Sequence, residues 1–91
     1  FSKFKKRPAL VVGNAEFKNL ILCQITSKAE TSKRAIPLAD VDFREGGLHI
    51  NSYIRPDKIF TIEQSLVEAK VGRLNPAKAE DVKLQLRQLF S

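Results

Sequence analysis

Two short stretches of this 91-residue chain carry side chains that could do chemistry together. Arg7 follows Lys5 and Lys6 and directly precedes an apolar, β-branched run at residues 8–12, while Gln24, Thr26 and Ser27 close the next such run at residues 20–26. If the two runs are antiparallel strands joined by a loop, positions near 7 and 26 meet at one edge of the sheet. An arginine there offers a planar fork that donates two hydrogen bonds to a phosphate, and a threonine hydroxyl can donate a third to a non-bridging oxygen. The pair suits a reaction in which negative charge builds on phosphorus-bound oxygens. An arginine that only ends a strand, beside a threonine present for its β propensity, has the same spacing.

The remaining reactive side chains offer less. His49 lies just beyond the pair Gly46-Gly47 and is the obvious acid–base group, yet a second histidine to share that work is missing, so a loop residue is expected. Cys23 sits in the middle of an apolar run and is expected to be a buried small hydrophobe rather than a nucleophile. One cysteine and one histidine cannot supply a zinc site of the usual spacing, and the carboxylates are not clustered for magnesium. Neither GxxxxGK[ST] nor GxGxxG occurs. No metal and no cofactor are expected.

The elements that must position these groups can be read in outline. The run at 8–12 is closed by Gly13-Asn14, and the period of two in the next strand puts Leu20, Leu22, Gln24 and Thr26 on one face and Ile21, Cys23 and Ile25 on the other. One face therefore turns polar at its C-terminal end. Residues 28–35 read as a loop or hairpin tip, 36–41 as a short strand, and Gly46-Gly47 as a turn. Residues 52–55 and 58–62 read as two strand pieces parted by Pro56-Asp57, since proline removes a ladder donor. Residues 65–70 fit a helical turn and 71–74 a returning strand. Asn75 as cap, Pro76 at the first helical position, and Ala79, Val82, Leu86, Leu89 and Phe90 on one stripe predict an amphipathic C-terminal helix. Five or six short strands plus one helix make a mainly β (α+β) fold, a small, partly closed barrel, in a single domain over residues 1–91.

Composition agrees with such a domain. Hydrophobic residues are 43% and charged residues 29%, which is too apolar for intrinsic disorder, and no stretch is long enough to span a bilayer. The single cysteine asks for no oxidising compartment, so a cytoplasmic location is expected. The net charge of +6 is unevenly spread. Residues 1–34 hold eight basic and two acidic groups, whereas residues 35–91 hold eight of each. The whole surplus thus belongs to the first third, as in a face that meets a polyanion or an acidic protein, though a solubilising surface has the same look.

Five blocks carry a family resemblance: residues 6–12, beginning Lys6-Arg7-Pro8; residues 22–27; residues 52–62, with Arg55-Pro56-Asp57-Lys58 at their centre; residues 70–74; and the closing helix. In this order and spacing they resemble the MazF/PemK toxins of type II toxin–antitoxin systems. The resemblance implies an SH3-like barrel with a C-terminal helix, a homodimer, and metal-independent cutting of single-stranded RNA to a cyclic phosphate and a 5′ hydroxyl. It implies that Arg7 and Thr26 are the catalytic pair, that Asp57 and Lys58 contact RNA or support the site, and that a cognate acidic antitoxin is the partner; Lys5, Lys6, Gln24, Ser27 and Lys28, around the same sheet edge, are expected to bind RNA together with Lys58. The family's first strand is expected upstream of Phe1. Because the barrel also hosts toxins that act by protein contact alone, a non-catalytic binding module is the alternative. No membrane partner is implied.

Overall fold

The computed structural model describes residues 7–28 and 33–91. Lys5, Lys6 and the middle of the loop expected at 28–35 lie outside them. The elements are β1 (Ala9–Ala15), β2 (Asn19–Thr26), β3 (Ile36–Leu38), β4 (Phe43–Gly46), β5 (Ser52–Glu63), β6 (Gly72–Leu74) and the helix α1 (Pro76–Leu89). The expected mainly β architecture with a C-terminal helix is what forms, the larger sheet curling into a half-barrel.

Four strands make that larger sheet, in the order β1-β2-β5-β3 with every neighbour antiparallel, and β4 pairs with β6 in a second ribbon. The alternation read in β2 decides the layering. Cys23 and Ile25 turn inward with Ile54 of β5, Ile36 and Leu38 of β3, and Val82 of α1 to form the buried cluster, and Leu10, Val12, Phe43, Leu74 and Leu86 pack against it. Burying a side chain such as Val82, which is 2% exposed, contributes roughly 1.5–3 kcal/mol. Gln24 and Thr26 consequently face the other way, on the side that α1 does not cover.

The helix begins as its sequence predicts. Asn75 Oδ1 accepts the Lys78 backbone N–H at 2.8 Å, Pro76 occupies the first turn, and Asn75 Nδ2 donates to the Val41 carbonyl at 3.1 Å. Lys78 Nζ donates to the Pro37 carbonyl at 3.0 Å and lies 3.6 Å from Asp42, so the start of α1 is tied to the end of β3. Phe90, expected on the buried stripe, falls beyond the last helical residue and is 75% exposed.

Other departures have local causes. Gly13-Asn14 does not end β1; it sits inside the strand, where the register slips between Val11 and Gly13, and the true turn carries Phe17 and Lys18 at φ of 59° and 61°. The third strand stops at Leu38, because residues Asp40–Asp42 wind into a 3₁₀ turn in which Asp42 Oδ2 accepts the Ala39 N–H at 2.8 Å. The later helical turn is Gln64–Leu66, shorter and earlier than residues 65–70. The returning strand omits Val71.

Strand β5 is one element rather than two. Its register with β2 jumps between Gln24↔Arg55 and Cys23↔Ile59, leaving Pro56, Asp57 and Lys58 without partners on β2. A proline inside such a bulge forfeits no ladder bond, which is why it does not break the strand. Strand β4 was not anticipated at all. It is held by β6 across a close approach in which Gly47 N–H donates to the Val71 carbonyl at 3.1 Å, with Gly46 at φ 61°.

Candidate functional site

The outer face of the large sheet gathers the polar side chains. Strand pairing aligns Ala9, Gln24 and Arg55 in one row, and Thr26, Tyr53 and Pro37 in the next. The Ile25 N–H donates to the Pro8 carbonyl at 3.4 Å, one residue past the last paired positions Ala9↔Gln24, so Arg7 leads into β1 at the end of the sheet where Thr26 closes β2. Arg7 is exposed, and neither it nor Gln24 forms a hydrogen bond or ion pair among the described residues.

Thr26 is already half committed. Its Oγ1 accepts the Lys28 backbone N–H at 3.2 Å, which leaves the hydroxyl proton to donate outward. Ser27 and Lys28 are exposed just beyond it, at the end of β2. His49 is also exposed, in the loop that leads into β5, and has no partner among the described residues.

Sequence reasoning missed Arg55, which the structure makes the best-held cation of this face. Its Nε donates to Asp57 Oδ1 at 2.9 Å and its Nη2 to Asp57 Oδ2 at 2.7 Å, a two-pronged grip. The Arg55 side chain is only 10% exposed, against 28% for Asp57. The signal was there: an alternating strand at 52–55 places Tyr53 and Arg55 on one face, but Pro56 read as an end and hid the Arg-x-Asp spacing. Lys58, exposed in the bulge, adds its charge to the same group.

The electrostatics assign Asp57 its work. Hydrogen bonds from Arg55 hold its carboxyl below the ordinary carboxylate range, against the opposing effect of burial, while the same contact raises Arg55. A carboxylate held that way is a weaker base than usual, so Asp57 fixes the fork rather than moving protons at neutrality. Because the folded-state pKa is depressed, the pair's stabilisation is complete above about pH 4, the value of an unfolded carboxylate, and disappears as pH falls through the folded value. Asp57→Asn is therefore expected to lower the melting temperature at pH 7, with the gap to the wild type narrowing at pH 3. Melting curves of both proteins at the two pH values measure this, and a gap of equal size at pH 3 would contradict it.

Cys23 is fully buried, and burial, helped by the charge of Asp57, pushes its thiol up. It stays protonated at neutral pH and serves as the small hydrophobe its sequence context predicts. No group of three or more His, Cys, Asp or Glu side chains among the described residues could hold a metal ion, and no helix among them is long and apolar enough to cross a membrane.

The arrangement is a shallow, cationic floor with one free fork, one clamped fork, a donor hydroxyl, an amide and an aromatic ring. Comparison with known proteins gives a family model described as PemK-like, MazF-like toxin of type II toxin-antitoxin system, which matches residues 2–90. No curated protein matches the chain significantly.

Proposed function

Since the chain belongs to the family of PemK-like, MazF-like toxins of type II toxin–antitoxin systems, with an antitoxin as its partner, we propose that it acts as an endoribonuclease on single-stranded RNA. In this reading the scissile phosphate lies over the end of the sheet where Arg7 leads into β1 and Thr26 closes β2. The RNA's own 2′ oxygen attacks phosphorus, the bond to the 5′ oxygen breaks, and a 2′,3′-cyclic phosphate and a 5′ hydroxyl result. The 2′-hydroxyl proton leaves to water and the departing oxygen takes one from water. Arg7 grips the phosphorane oxygens with its fork, and the outward proton of Thr26 reaches the same oxygens. A guanidinium is too weak an acid to carry protons near neutrality, so its part is electrostatic. Because the nucleophile belongs to the substrate, no metal is needed and DNA is inert.

The observation that supports this reading is that the β1–β2 pairing runs to Ala9↔Gln24 and the Pro8–Ile25 hydrogen bond, at the end of the sheet where Arg7 enters β1 and Thr26 closes β2, with the Arg55–Asp57 clamp in the neighbouring strand. Gln24, Ser27, Lys28 and Lys58, with Lys5 and Lys6, form the RNA-binding rim in this proposal. An acidic antitoxin segment competes for the same rim, a homodimer completes the groove, and the toxin works in the cytoplasm.

The test is incubation of a long RNA with the protein in excess chelator, followed by mapping of the ends. Cuts at a recurring short sequence, bearing cyclic phosphate and 5′-hydroxyl termini, are expected. Intact RNA at protein concentrations that bind it would overturn the enzyme and leave a binding toxin.

A further inference from the structure

We propose that Tyr53 is the platform on which a nucleobase beside the scissile phosphate stacks, which makes it a specificity-determining residue; this rests on the endoribonuclease reading above. Tyr53 is opposed by Thr26 on one side and by Pro37 on the other, so its ring stands one strand away from the proposed phosphate contact. Its strand neighbours Ser52 and Ile54 are buried, Ile54 fully within the core cluster, whereas Tyr53 is only partly covered and belongs to no part of that cluster. Nothing in α1 reaches this side of the sheet, because the helix packs through Val82 and Leu86 on the other.

The ring is also chemically uncommitted. Buried tyrosines usually find a hydrogen-bond partner for the hydroxyl, yet this one makes no hydrogen bond or ion pair with any described residue. Two positions along the same face, Arg55 is immobilised by Asp57, so the ring is bordered by a guanidinium held in place rather than by a side chain free to swing over it. Pro37, exposed beyond the ring, extends an apolar ledge on which a second base edge can rest. An aromatic face beside a phosphate grip is the standard means of holding single-stranded nucleic acid, since every base has a π face. Here the ring is anchored in a strand at a set distance from Thr26, so it selects which base lies next to the cut rather than any base along the strand.

The chain has one tyrosine and no tryptophan, so intrinsic emission reports Tyr53 alone. Titration of the full chain with a 2′-O-methylated RNA oligonucleotide of mixed sequence, which cannot cyclise, is expected to quench that emission to saturation. With unmodified RNA, Tyr53→Leu is expected to lower kcat/KM about tenfold or more and to relax the base preference next to the cut, and Tyr53→Phe to rescue most of that loss. Leucine preserves an apolar strand position, so melting curves within about 4 °C of the wild type, the equivalent of about 1 kcal/mol, separate stacking from folding. Unquenched emission, or Tyr53→Leu cutting the same sites at the wild-type rate, would overturn the platform. Quenching by the modified strand without cleavage of the unmodified one would overturn the endoribonuclease reading and leave the platform standing.

Discussion

Arg7→Ala is expected to slow RNA cleavage a hundredfold or more with little change in melting temperature. The loss follows from the loss of a preorganised donor to developing negative charge, which costs about 3 kcal/mol of barrier where such donors have been removed, and each 1.36 kcal/mol is about tenfold in rate. Stability is spared because Arg7 is exposed and makes no hydrogen bond or ion pair among the described residues. Thr26→Val, which keeps the β-branched shape, should lose less, about tenfold or more, since a hydroxyl gives one donor where the fork gives two. Initial rates on a fixed RNA in chelator, read beside melting curves, are the measurement. Rates within threefold of wild type for both variants would remove this end of the sheet from the mechanism.

Gly46→Ala is expected to produce the largest loss of stability from the addition of a single methyl group. Gly46 holds φ at +61°, where an L residue costs roughly 1–2 kcal/mol, and a Cβ would strike the Val71 carbonyl oxygen and come within 2.8 Å of the Gly72 Cα. These are backbone atoms and cannot swing aside. Gly72 is crowded from the opposite side, with a Cβ there meeting the Glu45 oxygen at 2.7 Å and the Gly47 nitrogen at 2.9 Å. The β4–β6 ribbon carries Phe43 and Leu74, which pack on the core, so parting it uncovers the barrel's floor. A cost of about 2–4 kcal/mol lowers the melting temperature of a domain this size by about 10–25 °C. A drop under about 5 °C for both Gly46→Ala and Gly72→Ala would show that the ribbon yields freely.

What could be read from the sequence was what local chemistry decides. The start of α1 is a cap and a proline, both complete within four residues, and the layering of β2 from Cys23 to Thr26 is an alternation, although Leu22, on the face of Gln24, is buried as well. What could not be read depends on partners far along the chain. Strand β4 has one large apolar residue, Phe43, and exists because β6 pairs with it. The β1–β2 turn passes over Gly13-Asn14, the residues that favour a turn, and places Phe17 and Lys18 in left-handed conformations that their types disfavour. At the candidate site, Arg7, Gln24 and Thr26 were visible because they border apolar runs. Arg55 and its grip on Asp57 were hidden by the proline between them.

The unpaired stretch in β5 has an effect beyond admitting that proline. Arg55 and Ile59 are an even four positions apart, yet they lie across from Gln24 and Cys23, which face opposite sides of the sheet. The strand thus resumes with its inside and outside exchanged, and behaves as two half-strands in series. A one-residue insertion or deletion within 56–58 can be taken up locally, where the same change at Tyr53 or Ile59 would turn over every side chain that follows. Evolution can therefore retune the half that carries the ring and the clamped arginine without disturbing the half that pairs with Asn19–Cys23 of β2.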